Sequence, residues 1–485
     1  MSFPKVKSVR KNTKEAPLHR SGGRRAGAAS QPEDEEEMRA QAPVRLLVQS
    51  PRGMEDVLPD DHKYWDVVAD TVQRVCTGFN MKPISTPIVE EAMLFTKSIG
   101  EGTDIVEKEM FFLKERGGAA RLALRPEFTA GAVRAFLEHG MASWPQPVRL
   151  WYLGPVFRHD RPQAGRYRQF SQFGVEVIGE KHAVVDAQVI HLVYEIYKSL
   201  QLDAFRIEIN SLGCRDPSCR PAYLSVLKAH AQEHVRKLCA DCRRRAKTNP
   251  LRILDCQEEK CQLVANTAPK LLDRLCEACK AHYAQVLQYL QAFAIPLREN
   301  PRLVRGLDYY TRTVFEMIST LPSSEGLGGL AIGSGGRYDG LVELLGGPST
   351  PAIGFSGGVE RTILQMRAEG VEVNVTDAPD LFLVHLGALG QRKCLTLFDD
   401  LRRAGFRVAE AFHKEGIKAQ LRVADRLRVP WVLILGQKEA LDNTIILRNM
   451  DSGMQETLGV HFDALLPALR KRLRRDVFPV AGTQE

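Results

Sequence analysis

The sequence has no long hydrophobic segment, and this absence excludes one large class of protein. No run of apolar residues approaches the ~18 that a membrane-spanning helix requires. The longest runs, residues 381–384 and 432–435, have the length of strands. The first residues also lack the apolar region of a secretory signal. We therefore expect a cytoplasmic protein that is neither embedded in a membrane nor exported.

Most of the chain also lacks a strong net charge. Of the formal net charge of +8, half lies in residues 1–45, which hold ten basic and six acidic residues. The other 440 residues carry only +4, and so balanced a chain gives little support for nucleic-acid binding through bulk charge. Any contact with RNA has to come from a local patch.

The composition along the chain predicts a division into several parts. Residues 1–45 combine a basic segment with the acidic run 33–37 and few large apolar residues, which is typical of a disordered, solvated extension. An organelle transit peptide and a true translation start near residue 50 stay open as alternatives. Residues 46–370 alternate strand and helix patterns, with a charged, Cys-rich helical insertion at 214–300. Short αβ units then predict a smaller domain at 378–475, followed by a tail at 476–485.

The densest group of chemistry-bearing residues lies on a hairpin between two apolar strand patterns. Four arginines fall within its polar turn: Arg158, Arg161, Arg166 and Arg168. Arginine offers planar pairs of N–H donors that suit phosphate oxygens. Most basic turns are only solvated hairpin tips. Here Phe170, which can stack on a purine, and the polar strand positions Gln172 and Glu176 favour a ligand site.

Three further segments carry weaker signals of the same kind. Residues 305–316 alternate charged, hydroxyl and aromatic side chains with apolar ones, which predicts a strand with one polar, ring-lined face. Residues 333–340 are rich in glycine, which permits close approach of the backbone to a ligand but is also common in ordinary turns. Residues 352–361 lead from small residues into a helix with Arg361 near its start, where an anion is favoured.

Together these segments resemble the histidyl-tRNA synthetase family, within the class II aminoacyl-tRNA synthetases. Residues 124–129 with the hairpin resemble motif 2, residues 352–361 resemble motif 3, and Pro87 suits the motif 1 proline at a dimer interface. Residues 305–316 and 335–341 resemble the two histidine-specific segments of the family, of which the first is highly specific. The resemblance extends from residue 52 to about residue 475, with no departure at an expected catalytic position.

The resemblance implies an α+β fold. Its parts are an antiparallel-sheet catalytic core of class II type, a helical insertion and a C-terminal α/β anticodon-binding domain. It also implies an aminoacyl-tRNA ligase that works as a homodimer. Such an enzyme activates L-histidine with ATP and Mg²⁺ to histidyl-adenylate, and then transfers the histidyl group to the 3′ end of tRNA(His).

The roles of the site residues are also implied by the resemblance. Attack of a carboxylate on the α-phosphate needs positioning and charge neutralisation rather than a protein nucleophile. Arg158 and Arg305 would be the catalytic residues, with Arg305 a fixed cation at the α-phosphate. ATP would be bound by Arg158, Arg166, Phe170 and Arg361. Ten residues would bind histidine: Glu127, Phe128, Thr129, Arg158, Gln172, Glu176, Arg305, Tyr309, Tyr310 and Tyr338. The C-terminal basic run, residues 470–475, is equally compatible with contact to tRNA phosphates and with a solvated helix end.

Eight of the ten cysteines fall in pairs with the spacing of metal ligands, two C-x₄-C and two C-x₂-C. In a protein without an export signal disulfides are disfavoured, so structural zinc becomes credible. Two sites of four thiolates would account for all eight, but reduced cysteines that only pack are equally compatible. Cys76 and Cys394 stand apart and are expected in the core. The paired cysteines are Cys214, Cys219, Cys239, Cys242, Cys256, Cys261, Cys276 and Cys279.

Two other readings have to be weighed against a synthetase for histidine. A non-catalytic relative, such as the regulatory subunit of ATP phosphoribosyltransferase, is expected to lose catalytic arginines and the anticodon-binding domain. This sequence keeps Arg158, Arg305 and Arg361 and has a C-terminal α/β pattern. A synthetase for another amino acid is disfavoured by residues 305–316.

Overall fold

The structure is a computed structural model that describes most of the chain after the N-terminal extension. The described residues are 48–100, 103, 105–114, 121–163, 165–322, 327–373 and 378–473. The predicted extension at 1–45 and tail at 476–485 therefore lie outside them, as do the last two residues of the basic run. None of the described helices is long and apolar enough to cross a membrane.

The larger part of the fold is built on one wide sheet. The strands between residues 52 and 373 are β1 (Lys82–Pro83), β2 (Val89–Glu91), β3 (Leu122–Leu124), β4 (Val148–Phe157), β5 (Gln169–Ile178), β6 (Phe205–Ser211), β7 (Leu297–Glu299), β8 (Thr311–Ser319), β9 (Ala331–Arg337) and β10 (Ala352–Gly358). Eight of them form a sheet in the order β1-β4-β5-β10-β9-β8-β6-β7, and β2 pairs with β3 separately. Neighbouring strands of the large sheet are antiparallel, except that β1 and β7 at the two edges run parallel to their partners. The predicted antiparallel core is thereby confirmed.

Helices cover this sheet and connect its strands. They are α1 (Pro59–Gly78), α2 (Ala92–Ile99), α3 (Thr129–Glu138), α4 (Ala183–Ser199), α5 (Arg220–Glu233), α6 (Ala240–Thr248), α7 (Glu259–Asn266), α8 (Glu277–Ala292), α9 (Leu341–Leu344) and α10 (Val359–Ala368). Short turns of other helix types occur at Ile105–Glu109, Met141–Ser143, Val235–Lys237, Pro250–Ile253 and Leu271–Arg274. In α4, Val185, Val189 and Val193 recur at helical spacing and are buried in the main core together with α1 and α10.

The predicted helical insertion lies between β6 and β7. It comprises α5 to α8, of which α8 packs back against α4 of the core. Apart from cysteines, its own innermost cluster buries few apolar side chains: Ala231, Leu238, Ile253 and Val264. This cluster alone contributes little hydrophobic stabilisation, whereas α5 and α8 bury further apolar side chains, among them Leu227 and Val286, in the clusters of the core.

The C-terminal part forms a second, smaller sheet. Its elements are β11 (Leu381–His385), α11 (Gly387–Arg403), β12 (Val408–Glu410), α12 (Ile417–Arg426), β13 (Trp431–Leu435), α13 (Gln437–Asp442), β14 (Thr444–Asn449), β15 (Gln455–Gly459) and α14 (Phe462–Leu473). The strand order is β12-β11-β13-β14-β15, with a parallel half and an antiparallel half. The sequence prediction of an α/β fold here is confirmed, and Cys394 is buried in its core as Cys76 is in the main one.

Candidate functional site

A cavity of about 410 Å³ lies over the middle of the large sheet. Strands β5, β9 and β10 contribute to its lining, as do residues of the segment 305–310 and the start of α10. Most residues that the sequence singled out are brought together here. They are Glu127, Thr129, Arg158, Arg166, Phe170, Gln172, Arg305, Tyr309, Tyr310, Tyr338 and Arg361.

Two predicted residues, Phe128 and Glu176, do not line the cavity. Phe128 is buried, and its ring stacks on Tyr152 with 4.3 Å between the centroids. Glu176 is fully buried beneath the cavity. Alternation along β5 puts Glu176 on the same face as Gln172, as expected. It does not reveal that other side chains cover the carboxylate.

Three hydroxyl groups hold the Glu176 carboxylate. Thr129 donates to Oε1 at 2.7 Å and Tyr152 donates to the same oxygen at 3.0 Å, while Tyr338 donates to Oε2. Burial raises the pKa of Glu176 to about 8 despite these hydrogen bonds. Gly354 on the neighbouring strand makes room for it, since a Cβ atom there would lie 1.7 Å from Oε2.

The wall beside Glu176 presents hydrogen-bond acceptors. Glu127 precedes α3 and accepts hydrogen bonds from the backbone N–H groups of Thr129 at 2.6 Å and Ala130 at 2.9 Å. Burial nevertheless raises the pKa of Glu127 above its ordinary value. Gln172 lines the cavity with a buried Oε1 that has no partner among the described residues. A buried acceptor without a partner is costly in a native protein, so this wall fits a ligand that donates hydrogen bonds, such as an ammonium group.

Arginine side chains give the same cavity a second, positively charged wall. Arg305 forms a close ion pair with Glu316 and donates to the Ser334 hydroxyl. Burial alone would lower the pKa of Arg305, but Glu316 outweighs it and holds that pKa above its ordinary value. Arg158 donates from Nε to the Pro126 carbonyl at 2.9 Å, which fixes the direction of its guanidinium.

A second pair of arginines extends this charge. Arg361 donates to the carbonyls of Gly165 and Ala331, each at 2.7 Å. Burial lowers the pKa of Arg361, and repulsion from Arg166 and Arg158 adds to the effect. Like charges held together in this way cost free energy in the empty protein and favour a polyanionic ligand.

Aromatic rings complete the cavity. Tyr309 lies between Tyr310 and Tyr338, with ring centroids 4.8 and 5.8 Å away. Burial raises the pKa of all three hydroxyls, so each stays protonated and can both donate and accept. The Phe170 ring also lines the cavity; it lies 5.4 Å from the Arg158 guanidinium carbon and presents a face on which a planar base can stack.

The prediction of one strand over residues 305–316 is wrong for its first half. The strand β8 begins at Thr311, and residues 305–310 form an irregular segment that carries Arg305, Tyr309 and Tyr310. A register shift between Thr311 and Val314, with Arg312 at a φ of 48°, separates this segment from the regular ladder. The polar residues are therefore gathered by a loop that folds over the cavity rather than by strand alternation.

Sequence reasoning missed several residues that line the cavity. Arg252 comes from the insertion, and its placement has no local signal in the sequence. Glu360 precedes Arg361 in a segment that the sequence did single out. Its Oε1 accepts from the Ser171 backbone N–H at 2.8 Å, while Oε2 is buried without a partner among the described residues. Burial raises the pKa of Glu360 to about 7.

The eight paired cysteines form two groups in the insertion. Each group combines one C-x₄-C pair with one C-x₂-C pair, and its four sulfur atoms all lie within 4.8 Å of one another. None of the eight is in a disulfide. Cluster A is Cys214, Cys219, Cys276 and Cys279, and cluster B is Cys239, Cys242, Cys256 and Cys261.

Comparisons with known proteins agree with this geometry. A family model described as histidyl-tRNA synthetase matches residues 53–362, and one described as anticodon binding domain matches residues 382–472. A histidine–tRNA ligase of Dehalococcoides mccartyi is 47% identical over 427 residues, covering 88% of this chain and all of that protein. A histidine–tRNA ligase of Staphylococcus aureus is 41% identical over 426 residues, again covering 88% of this chain and all of the relative.

A solved structure shares the fold. The apo histidyl-tRNA synthetase of S. aureus superposes with a TM-score of 0.74 at 37% identity, covering 88% of this chain and all of that one. The similarity includes the catalytic core and the C-terminal domain together.

Proposed function

The chain belongs to the histidyl-tRNA synthetase family, and on that premise we propose that it is a histidine–tRNA ligase. It activates L-histidine with ATP and transfers the histidyl group to the 3′ end of tRNA(His). The observation that carries the proposal is a single cavity lined both by the acceptors Glu127 and Gln172 and by the arginines Arg158 and Arg305.

The acceptor wall fits histidine. Glu127 and the unpartnered Oε1 of Gln172 would receive the α-ammonium group. The imidazole would lie among the tyrosines above Glu176, where Tyr338 and Thr129 link it to the buried carboxylate. A substrate without ring nitrogens would leave these polar groups unpaired, so the pocket discriminates strongly against other amino acids.

The arginine wall fits ATP and the first reaction step. An oxygen of the histidine carboxylate attacks the α-phosphorus, and the bond to the leaving pyrophosphate breaks. Arg158 would hold the carboxylate and the α-phosphate together, while Arg305, fixed by Glu316, would neutralise charge that develops on the α-phosphate. Arg361 would bind the outer phosphates with Arg166, and the adenine would stack on Phe170.

The Mg²⁺ that accompanies ATP also has a candidate ligand in this cavity. As noted above, Oε2 of Glu360 is buried and has no partner among the described residues. Mg²⁺ prefers carboxylate oxygens as ligands. Glu360 would hold the ion near the outer phosphates, where the ion would neutralise charge on them.

The second step requires tRNA, for which we propose the C-terminal domain at 378–475 as the anticodon reader and residues 46–370 as the catalytic part. Within the described end of the basic run, Arg472 is bridged to Glu456 at 2.9 Å. Arg470 and Lys471 are then the residues of this run that we expect to meet phosphates. The cytoplasmic location stays a prediction from the sequence.

An exposed apolar surface supports the proposed homodimer. Ile88, Val89, Met93 and Leu344 are exposed large hydrophobic residues, and Pro87, Met93 and Leu344 line one shallow cavity. Apolar surface of this kind is commonly covered by a partner. Met93→Lys is expected to shift the protein from dimer to monomer in light scattering, and an unchanged dimer would assign the contact to another surface.

The function is tested by amino-acid-dependent ATP–pyrophosphate exchange with each of the twenty amino acids. Exchange with histidine alone is expected. No exchange with any amino acid from folded protein would instead favour the non-catalytic regulatory subunit, which this fold can also serve.

A further inference from the structure

We propose that each cysteine cluster binds one Zn²⁺ ion as a closed tetrathiolate site, and that the two ions brace the irregular segment 305–310 of the cavity. The first part depends only on the insertion. The second part rests on the proposed function, since it assigns that segment to histidine binding.

The sulfur positions fit a tetrahedral metal. Zinc bonded to four thiolates at about 2.3 Å holds neighbouring sulfurs roughly 3.8 Å apart. In cluster A, Cys214 Sγ lies 3.7 Å from Cys276 Sγ, and in cluster B, Cys239 Sγ lies 4.0 Å from Cys256 Sγ. These separations are about twice the ~2.05 Å of a disulfide bond, and they occur in both clusters.

Backbone N–H groups point at the sulfurs, as they do around metal-bound thiolates. In cluster A, Cys219 Sγ accepts from the N–H of Cys276 at 3.4 Å and of Cys214 at 3.5 Å. In cluster B, Cys261 Sγ accepts from the N–H of Cys239 at 3.2 Å, and Cys239 Sγ from that of Cys242 at 3.4 Å. The donors stabilise negative charge on sulfur, which a set of merely packed thiols does not require.

The surroundings indicate a structural rather than a catalytic metal. In each cluster two cysteines are almost fully buried and the other two are half-buried, and four thiolates would fill the coordination shell of a structural zinc. Helix α6 buries only one residue, Cys242. Its other contacts are the partly buried Ala246 and an exposed ion pair between Arg244 and Glu107, so a metal bond to Cys242 would be its strongest tie to the fold.

Both clusters lead directly to the segment 305–310. Arg220 follows Cys219 of cluster A and donates to the Tyr310 carbonyl at 2.7 Å. Asn249, between Cys242 and Cys256 of cluster B, donates to the Asp308 carboxylate at 2.6 Å. Arg252 in the same stretch lines the cavity. Fixing the two clusters therefore fixes Arg220 and Asn249, the partners that hold the segment with Tyr309 and Tyr310 in place.

Metal content tests the first part. Protein purified under reducing conditions without chelator is expected to contain about two zinc ions per chain by elemental mass spectrometry. Cys242→Ala is expected to retain one, and Cys394→Ala, which removes a buried thiol outside the clusters, is expected to retain both. Wild-type protein that holds no zinc and takes up none when Zn²⁺ is added would overturn the proposal.

A second measurement covers the case in which Cys242→Ala fails to fold. Wild-type protein stripped of metal and reloaded with Co²⁺ is expected to show intense thiolate-to-cobalt absorption and the visible bands of a tetrahedral site, at two equivalents per chain. Weak bands of six-coordinate cobalt would contradict a tetrathiolate site.

Hydrogen exchange tests the second part without any measurement of aminoacylation. Removal of zinc is expected to speed exchange across residues 305–310 and to leave β11 of the C-terminal sheet unchanged. Asn249→Ala, which keeps all eight thiols, is expected to keep both zinc ions and still speed exchange in that segment. Unchanged exchange at 305–310 in metal-free protein would refute the bracing role. Because neither readout needs histidine, failure of the ligase proposal is distinguished from failure of this one.

Discussion

In the large sheet, Glu176 is held by hydroxyls from three other segments of the chain and lies among buried strands. In the insertion, α6 buries a single cysteine and no apolar residue. The two regions adjoin the same cavity but are stabilised in different ways. The sheet positions charged groups by packing, at the cost of shifted pKa values. On our proposal, metal bonds in the insertion position the residues that it contributes around the cavity, Arg220, Asn249 and Arg252.

The comparison predicts the largest effect for Arg305, a cation that residues of the sheet hold by an ion pair and a hydrogen bond. Arg305→Ala is expected to fold and to bind histidine, yet to lose adenylation by about 10²–10³-fold, the effect of removing one preorganised group at a developing charge. Pyrophosphate exchange measures the loss, and calorimetry measures histidine binding. Arg298→Ala, at an exposed arginine on the β7 edge, is the control and should keep its rate. Near-normal adenylation by Arg305→Ala would refute the role given to Arg305.

A smaller effect separates two phenylalanines that the sequence assigned to substrate binding, Phe170 to ATP and Phe128 to histidine. Phe170→Leu is expected to raise the KM for ATP about tenfold, since stacking on a base contributes about 1–3 kcal/mol. Phe128 is buried against Tyr152 outside the cavity, so Phe128→Leu should lower stability and leave the KM for ATP unchanged. Steady-state kinetics of the two variants decides. Equal changes in KM would mean that the cavity as described does not hold the adenine.

The pH dependence of histidine affinity tests the other part of the comparison, the buried carboxyl group of Glu176 in the sheet. The pKa of Glu176 is raised to about 8 in the empty protein, so most of the molecules carry it protonated at pH 7. The α-ammonium group of a bound histidine favours the ionised carboxylate. Affinity is therefore expected to rise with pH, about fivefold between pH 7 and pH 8, as the Glu176 carboxyl ionises. Calorimetry across this range measures it, and Glu176→Gln should show a flat profile. A rise of the same size in Glu176→Gln would assign the dependence to another group.

The sequence predicted those parts of the site whose residues lie close together in the chain, and it missed those that depend on contacts between distant residues. Arg158, Phe170 and Gln172 belong to one hairpin, so strand alternation was enough to bring them together. The covering of Glu176 by Tyr338 and Thr129 was out of reach, because it depends on contacts between residues 162 and 47 positions apart. Arg252 was missed for the same reason: no local pattern shows that the insertion folds back on the cavity.

The cysteine clusters show a second limit of prediction from the sequence, which concerns how the pairs combine. Their spacing predicted pairs, and two sites of four, because a short loop or one helical turn fixes two thiols near each other. Which pairs combine depends on the helices between them. Cluster A joins Cys214 and Cys219 to Cys276 and Cys279 across the whole of cluster B, an arrangement that spacing alone does not distinguish from sequential pairing.

The smallest effect tests whether the main core is independent of the insertion's metal. Ile190 on α4 is fully buried in the main core, and Ile190→Val removes one methylene at a cost of about 1 kcal/mol of unfolding free energy. We expect the same loss in zinc-loaded and in metal-free protein, because α4 is held by apolar packing. Denaturant unfolding with and without chelator measures both values, provided that the transition of the large sheet is followed separately. A loss that shrinks when zinc is removed would show that α8, which packs against α4, transmits the metal's effect into the core, and the two regions would then form one cooperative unit.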